Sequence, residues 1–510
     1  MAINMPTIDH RRFRTTLTIG ALLFSGCTLG PDFAPPASPD VKSYLGKEEA
    51  SQTLQNMALG KDILGLWWTL FRSPALTALI DRAIKHNPDL QAAQATLTQA
   101  KETAVAKEGS LFPALDAVAS GTRQQISGAQ FGNPAAGSSL FSIYNTSVNV
   151  SYTLDVFGAI QRQIEGLSAQ ADYQRFQLEG AFLTLAANIV TTVIQEAALR
   201  EQITATEDII AAQAQQLDVI KRQVALGGAS TAAVLAQQST LAQTRTTLPP
   251  LQQQLAQTRH RLSVLVGDTP NTAPAVQFTL ADLHLPEQLP LSLPAKLVRQ
   301  RPDVRAQEAV LHAASAQIGV VAASIFPDFT ISANAGSIAT EVGDLFVPGS
   351  FIWSTGANLL QPLFHGGEFL HKKRAAVAAY EQAGAQYRST VLQAFQNVAD
   401  TLSALDFDAA ELKTQQAAEQ AALDSLTLTQ TQFDLGAVSY LALLTAERDH
   451  QQTRLGLIKA QATQLADTAA LFQALGGGWW NRGNLATAIM KDHPKEKPAM
   501  PFFELLGIGN

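Results

Sequence analysis

The sequence predicts a mixed α/β membrane protein in which one strand-and-long-helix unit is used twice. Three observations lead there. First, the chain is duplicated. Asn87-Pro88-Asp89-Leu90 opens an Ala/Gln-rich helical run that ends at Leu111-Phe112-Pro113, and Arg301-Pro302-Asp303-Val304 opens a second that ends, after the same interval, at Ile325-Phe326-Pro327. Second, the text after each Phe-Pro alternates polar and apolar residues with period 2, as strands with two unlike faces do. Third, apolar residues beyond each strand pair step by three and four for roughly 65 residues, far more helix than a globular core uses.

Taken in order, the first element is an export signal over 1–26. Arg11, Arg12 and Arg14 precede an apolar run from Leu17 to Phe24, then Ser25-Gly26-Cys27. That run is too short to span a bilayer. Cys27 is the single cysteine, so no internal disulfide can form. Its setting resembles a bacterial lipobox, which implies a diacylglycerol on the thiol and an N-acyl chain on the new N-terminus; the alternative is a buried free thiol. Thr28 stands where inner-membrane lipoproteins of enteric bacteria carry aspartate, so delivery to the outer membrane is expected. Residues 27–73 form a Pro-rich tether and a lead-in segment with Trp67, Trp68 and Phe71. No other segment approaches the ~20 apolar residues of a membrane helix, so a mature chain that crosses lipid must do so with strands closed into a barrel.

The first repeat covers 74–267. Its opening helix, with Leu76, Leu79, Ile80, Ala83 and Ile84 at helical spacing, breaks at Asn87-Pro88, because the residue before proline is pushed out of the α region. Strands are expected at about 114–124 and 142–157. In the latter, Val148, Val150, Tyr152, Leu154 and Val156 take one face and Ser147, Asn149, Ser151, Thr153 and Asp155 the other. The second repeat covers 299–478, with strands at about 328–340 and 351–364. Phe329, Ile331, Ala333 and Ala335 alternate with Thr330, Ser332 and Asn334, and Phe351, Trp353, Thr355, Ala357 and Leu359 line the returning strand. Gly/Ser/Asn-rich stretches at 125–140 and 341–350 read as hairpin loops. Such alternation suits a strand between lipid and water, and also a strand pair in a soluble core. Four strands cannot close a barrel, and lipid tolerates no open edge. The smallest bacterial barrels have about eight strands, so two copies are a floor and three give twelve.

Long helices are expected at about 160–225 and 367–434. The second carries a seam of Val377, Tyr380, Gly384, Tyr387, Val391, Phe395, Val398, Leu402, Leu405, Ala409 and Leu412, and the first keeps its register at Leu178, Phe182, Ile189 and Val193. Leu226-Gly227-Gly228-Ala229-Ser230 and Leu435-Gly436-Ala437-Val438-Ser439 reverse the chain, with Gly227 and Gly436 as left-handed C-caps and Ser230 and Ser439 as N-caps of return helices at about 230–266 and 439–475. Pro249-Pro250 should kink the first return helix. A Pro-rich linker, 268–298, joins the repeats, and 479–510 is a tail.

Composition excludes some functions. Charged residues make up 15% and the net charge is −7, so the basic footprint of nucleic-acid binding is missing. The histidines are scattered, and no phosphate loop, nucleophile elbow or dinucleotide fingerprint occurs. His365, Glu368 and His371 could be drawn as a metal cluster, but Gly366-Gly367 and Lys372-Lys373-Arg374 mark an exposed strand-to-helix junction. No catalytic residue, metal or cofactor beyond the Cys27 lipid is expected.

Beyond these readings, the chain resembles an outer membrane factor, a TolC-like efflux lipoprotein of the NodT branch. The resemblance rests on Cys27 with Gly30-Pro31-Asp32-Phe33, Trp67-Trp68 with Phe71, Asn87-Pro88-Asp89-Leu90, Leu248-Pro249-Pro250-Leu251, Leu289-Pro290 with Leu293-Pro294, Arg301-Pro302-Asp303-Val304, and Leu475-Gly476-Gly477-Gly478-Trp479. It implies a homotrimer in the outer membrane of a Gram-negative bacterium, lipid-anchored, with a twelve-stranded barrel continuous with a coiled-coil periplasmic tunnel. Residues 27–73 and 268–298 would lie at the equator. The implied partners are outer-membrane lipid, a periplasmic adaptor and an inner-membrane pump of the resistance-nodulation-division type. In relatives a Gly-x-x-x-Tyr-Leu-x-x-Leu-Asp motif narrows the tunnel. Here it ends in Tyr440, Leu441 and Thr445, so the constriction falls to a leucine ring without the usual carboxylates. Leu441 could equally be an interhelix contact. Leu226, Gly227, Ser230, Leu435, Gly436 and Ser439 are where an adaptor would dock, besides being helix caps. A coiled-coil spacer lipoprotein that transports nothing is the rival reading.

Overall fold

In the computed structural model the chain is described over residues 28–41, 43–45, 57–272, 276–286 and 289–482. The signal segment, Cys27, Pro274 and the tail beyond Arg482 lie outside the described residues. In order, the chain forms β1 (Met57–Leu59), α1 (Pro74–His86), α2 (Pro88–Glu108), β2 (Ala114–Ser127), β3 (Ser138–Leu154), α3 (Ala159–Ala225), α4 (Thr231–Val266), β4 (Leu289–Leu291), α5 (Pro294–Gln300), α6 (Pro302–Ala323), β5 (Asp328–Ala339), β6 (Phe351–Leu360), α7 (Glu368–Asp434) and α8 (Tyr440–Ala474). The duplication is carried into the elements. Helices α3 and α7 each have 67 residues, and α4 and α8 have 36 and 35. Helix α4 runs unbroken through Pro249 and Pro250.

The chain divides into two compact units. One comprises Met1–Pro36, Thr96–Gln174 and Ala306–Arg388. Its centre is a four-stranded antiparallel sheet in the order β2-β3-β5-β6. Strand β2 runs on to Ser127 and β3 starts at Ser138, so the first hairpin loop is shorter than the Gly/Ser/Asn text suggests. The extra rungs pair Gln125 with Leu140, Ile126 with Ser139 and Ser127 with Ser138, and Gln125 Nε2 donates to Ser138 Oγ at 2.6 Å. Asp155 ends the strand text and starts α3, its carboxylate accepting from the amides of Ile160 (3.0 Å) and Gln161 (2.8 Å). The tether after Cys27 is strapped to the same unit. The amide of Leu29 donates to Phe157 O at 3.2 Å, and the buried Arg162 guanidinium bonds Leu29 O (3.0 Å), Asp32 (2.8 Å) and Glu165 (2.7 Å). The Phe33 ring stacks on His312 at 4.3 Å, and His312 meets Glu165 at 2.9 Å. Gly30, at φ +99°, lies so near Gly319 that a Cβ would come within 2.4 Å of its Cα. Only glycine fits.

The other unit comprises Ala37–Ala95, Arg175–Arg305 and Ser389–Asn510. Its densest core gathers residues remote in sequence: Trp67, Trp68, Phe71, Leu76, Ile80 and Phe472 are each about 1% exposed or less, with Trp67 stacked on Phe472 at 5.3 Å. Beside it β1 pairs in parallel with β4. Glu179 and Arg482 form a buried ion pair, and the guanidinium sits 3.7 Å above the Phe182 ring. The seam residues Leu178, Phe182, Ile189 and Val193 in α3 are buried, as are Val391, Val398 and Leu402 in α7. The expected Ala409 is exposed, and its neighbour Asp408 takes the buried position. The composition of α3 also differs from expectation. It holds an 18-residue stretch of mean hydropathy 1.5, apolar enough for a membrane span, but 78% of that stretch is buried in protein. Its apolarity serves packing against the aromatic core rather than lipid.

The two repeats close on themselves through the same joint. Asn87 Nδ2 donates to Leu265 O at 3.0 Å where α2 begins, and Arg301 Nη1 donates to Ala474 O at 2.9 Å where α6 begins. Beside each stands a left-handed glycine, Gly267 (φ +89°) and Gly476 (φ +91°). A Cβ there would lie 2.5 Å from His86 O and 2.9 Å from Gln300 O, respectively. Different residues therefore build one geometry twice.

Candidate functional site: two helix-end turns and an amphipathic sheet

The turns that join each long helix to its return helix are built identically. After α3 the amides of Gly227 and Gly228 donate to Val224 O (3.0 Å) and Gln223 O (2.8 Å), and after α7 those of Gly436 and Ala437 donate to Phe433 O (2.9 Å) and Gln432 O (2.8 Å). Gly227 and Gly436 adopt φ +77° and +72°. Ser230 Oγ accepts from Ala233 N at 3.3 Å and Ser439 Oγ from Ala442 N at 3.4 Å, so both serines cap the return helices. Leu226 and Leu435 do not pack. They are 88% and 80% exposed, alike at the two matched sites.

Just beyond the turns a strut ties four helices together. Gln237 of α4, fully buried, donates from Nε2 to Gln213 O of α3 at 3.1 Å. Its Oε1 accepts from the Tyr440 hydroxyl of α8, whose ring packs on Phe433 of α7 with centroids 5.7 Å apart. Burial and the nearby Glu447 raise the Tyr440 pKa, so its hydroxyl stays a donor. Tyr440, grouped above with Leu441 and Thr445, therefore does not share their face. One residue turns 100° on a helix, and that step carries Tyr440 onto α4 while Leu441 stays 71% exposed. Leu441 and Thr445 do lie together, with the Thr445 hydroxyl donating to Leu441 O at 3.0 Å. Gln237, Gln213 and Phe433 are the residues sequence reading missed. A lone glutamine in an Ala/Gln-rich helix carries no signal.

In the other unit the register sorts the sheet into two faces. Leu115, Val150 and Ala333 align, as do Tyr152 with Ile331 and Ala335 with Trp353, on one face; Asn149 meets Asn334, and Ser151 meets Ser332, on the other. The apolar side is uncovered, with Leu115 63%, Ile331 46% and Trp353 69% exposed. Strands β2 and β6 each pair on one side only. The strand-to-helix junction at His365 is exposed, and Glu368 is engaged by Lys372 at 2.5 Å, which lowers its pKa.

An apolar-outside, polar-inside ribbon with two unsatisfied edges, on a chain that also forms paired 67-residue helices, defines the class: one subunit of a bacterial outer-membrane channel. The sequence signature of the outer membrane efflux proteins matches residues 79–268 and 293–477, one span for each repeat, and the chain belongs to that family. It is 29% identical over 475 residues to the pyoverdine export outer membrane protein OpmQ of Pseudomonas aeruginosa, covering 91% of this chain and 96% of the relative. It is 28% identical over 473 residues to the toluene efflux pump outer membrane protein TtgC of Pseudomonas putida, covering 92% and 96%. Among solved structures, the outer-membrane channel OprN superposes with a TM-score of 0.80 at 25% identity, covering 89% of this chain and all of that one. The protein is thus an outer-membrane efflux channel component of a Gram-negative bacterium.

Proposed function

We propose that the chain works as a homotrimer, a passive duct with no turnover of its own, fed by an inner-membrane pump through a periplasmic adaptor. The observation that carries this is the open sheet. Two free edges in hydrocarbon would leave backbone groups unsatisfied at several kcal/mol each, and pooling strands from three chains removes every edge. A pump of the resistance-nodulation-division type fits the resemblance of the chain. OpmQ is named for pyoverdine and TtgC for toluene, cargoes unlike in size and polarity, which supports a duct that passes what its pump delivers.

The paired turns are the adaptor's docking surface in this reading. Leu226 and Leu435, exposed on rigid glycine-capped turns, offer the apolar anchors, and Ser230 and Ser439 hold the return helices behind them. Three Leu441 side chains close the tunnel by packing and dewetting. Diacylation of Cys27, which lies outside the described residues, is supported by its lipobox-like sequence, Ser25-Gly26-Cys27. The first described residues after it are held just past the end of β3, with Thr28 against Gly158 and the Leu29 amide donating to Phe157 O.

Planar-bilayer recording of the purified full-length protein tests the reading. Discrete conductance steps are expected, larger and more frequent after Leu441→Ser. A water-soluble monomer without heat-modifiable sheet, silent in both forms, would overturn the duct and leave the coiled-coil spacer.

A further inference from the structure

Below the strut, a cleft of about 670 Å³ opens between α3, α7 and α8. Its walls include Ile209, Ala212 and Val219 of α3 and Leu426 of α7, which are apolar, and its inner side holds Gln213, Gln216 and Glu447. Gln213 and Gln216 are 2% and 8% exposed. Yet Gln213 Oε1, Gln216 Nε2 and Glu447 Oε2 are enclosed without a hydrogen-bond partner. Leaving such atoms unpaired costs about 1–3 kcal/mol each, so their collection at one cleft suits a bound water or a polar ligand.

The chemistry of that ligand follows from what is already paired. Asp208 is met by Arg454 at 3.2 Å, and His450 by Glu419 at 3.5 Å. The Asp208 and Arg454 charges compensate one another, and Glu419 has the His450 ring beside it. Glu447 has no basic partner among the ion pairs of the described residues, and two of the three unpartnered atoms, Glu447 Oε2 and Gln213 Oε1, are acceptors. An anion would face the carboxylate. One carboxylate with one amide oxygen falls short of the six to eight oxygens Ca²⁺ takes, and no group of three or more His, Cys, Asp or Glu side chains placed to hold a metal occurs among the described residues. A primary ammonium brings three donors and one positive charge, and an alkyl tail can lie along Ile209, Ala212, Val219 and Leu426. We propose that this cleft is a binding site for a primary alkylammonium cation, held through Glu447 and Gln213. The site is a property of the helices and stands whether or not the chain conducts.

Burial raises the Glu447 pKa to about 7. The charged and titratable groups around it are Asp208 of α3, Glu419 of α7, and Tyr440, His450 and Arg454 of α8, with the ion pairs already named. An ammonium ion favours the carboxylate over the acid, so binding near pH 7 must release a proton.

Isothermal titration of the detergent-solubilised full chain with n-hexylammonium chloride tests this, with n-hexanol as the uncharged isostere. One saturable site per chain is expected near pH 8, weaker by about tenfold or more near pH 5.5, where Glu447 is protonated, and weaker by about as much in Glu447→Gln. Gln213→Leu, which keeps the backbone carbonyl that holds Gln237, should also weaken binding and decides the matter if Glu447→Gln does not assemble. The heat near pH 7 should vary with buffer ionisation enthalpy as a proton leaves. Absence of saturable heat near pH 8, equal binding by hexanol, or unchanged affinity in either variant overturns the site and leaves a water-filled crevice.

Discussion

Asp408 sits in the α7 seam where the heptad pattern calls for an apolar side chain, and it faces Asp467 of α8. Burial, then the hydrogen bond to Asp467 and its charge, push the Asp408 carboxyl up to about 7. The folded chain therefore holds a proton that the unfolded chain releases near pH 4, and stability falls as pH rises from about 4 through about 7. Asp408→Asn keeps the hydrogen bond without the charge. Its melting temperature should exceed that of the parent near pH 8 and match it near pH 4, in thermal unfolding followed by circular dichroism. Equal melting temperatures at both would remove the dyad from the account. Thr445 makes the complementary case. Three carboxylates ~6 Å apart would repel by only about 0.7 kcal/mol per pair in water, so Thr445→Asp should be tolerated and should shift the reversal potential toward cations. An unchanged reversal potential would mean that Thr445 does not line the path.

Among the elements, four glycine-ended helices separate conformational strain from collision. Gly227 and Gly436 have open space where a Cβ would go, so alanine there meets only the cost of a left-handed backbone, about 1 kcal/mol. Gly476 shares that backbone but would push a Cβ to 2.9 Å from Gln300 O, so Gly476→Ala should add about 1–3 kcal/mol and rank well below Gly436→Ala in thermal stability. Equal losses would mean that the joint is slack. These turns were legible because Gly and Ser act on their own backbone, within five residues. The seam was legible for the same reason: its period is local. The joint was half legible. Asn87-Pro88 and Arg301-Pro302 announce a break, but nothing near Arg301 names Ala474 as the partner of its guanidinium, 173 residues on. The cleft and strut stayed hidden likewise, since Gln213, Gln237 and Glu447 matter through helices remote in sequence, and the Ala/Gln-rich text of α3 and α4 reads the same whether its glutamines are buried or wet.

At the scale of the whole molecule, the sheet decides between a protein in lipid and one in water. Ile331 and Ser332 are neighbours on β5, Ile331 aligned with Tyr152 and Ala357, Ser332 with Ser151 and Gly356. Both are open to solvent in a single subunit, with Ile331 46% exposed, and a soluble protein would accept lysine at either place with little consequence. A pooled barrel separates them. Lysine at 331 would point into hydrocarbon at about 2–4 kcal/mol near the bilayer midplane, three times per trimer, whereas lysine at 332 would point into the aqueous lumen. Ile331→Lys should therefore abolish the heat-modifiable trimer in membrane fractions, and Ser332→Lys should retain it while altering conductance. Because the two positions differ by one residue in the same strand, misfolding of the strand as such would affect both alike. Trimer lost in the serine variant and kept in the isoleucine variant would reverse the assignment of faces, and equal survival of both would remove the sheet from the membrane.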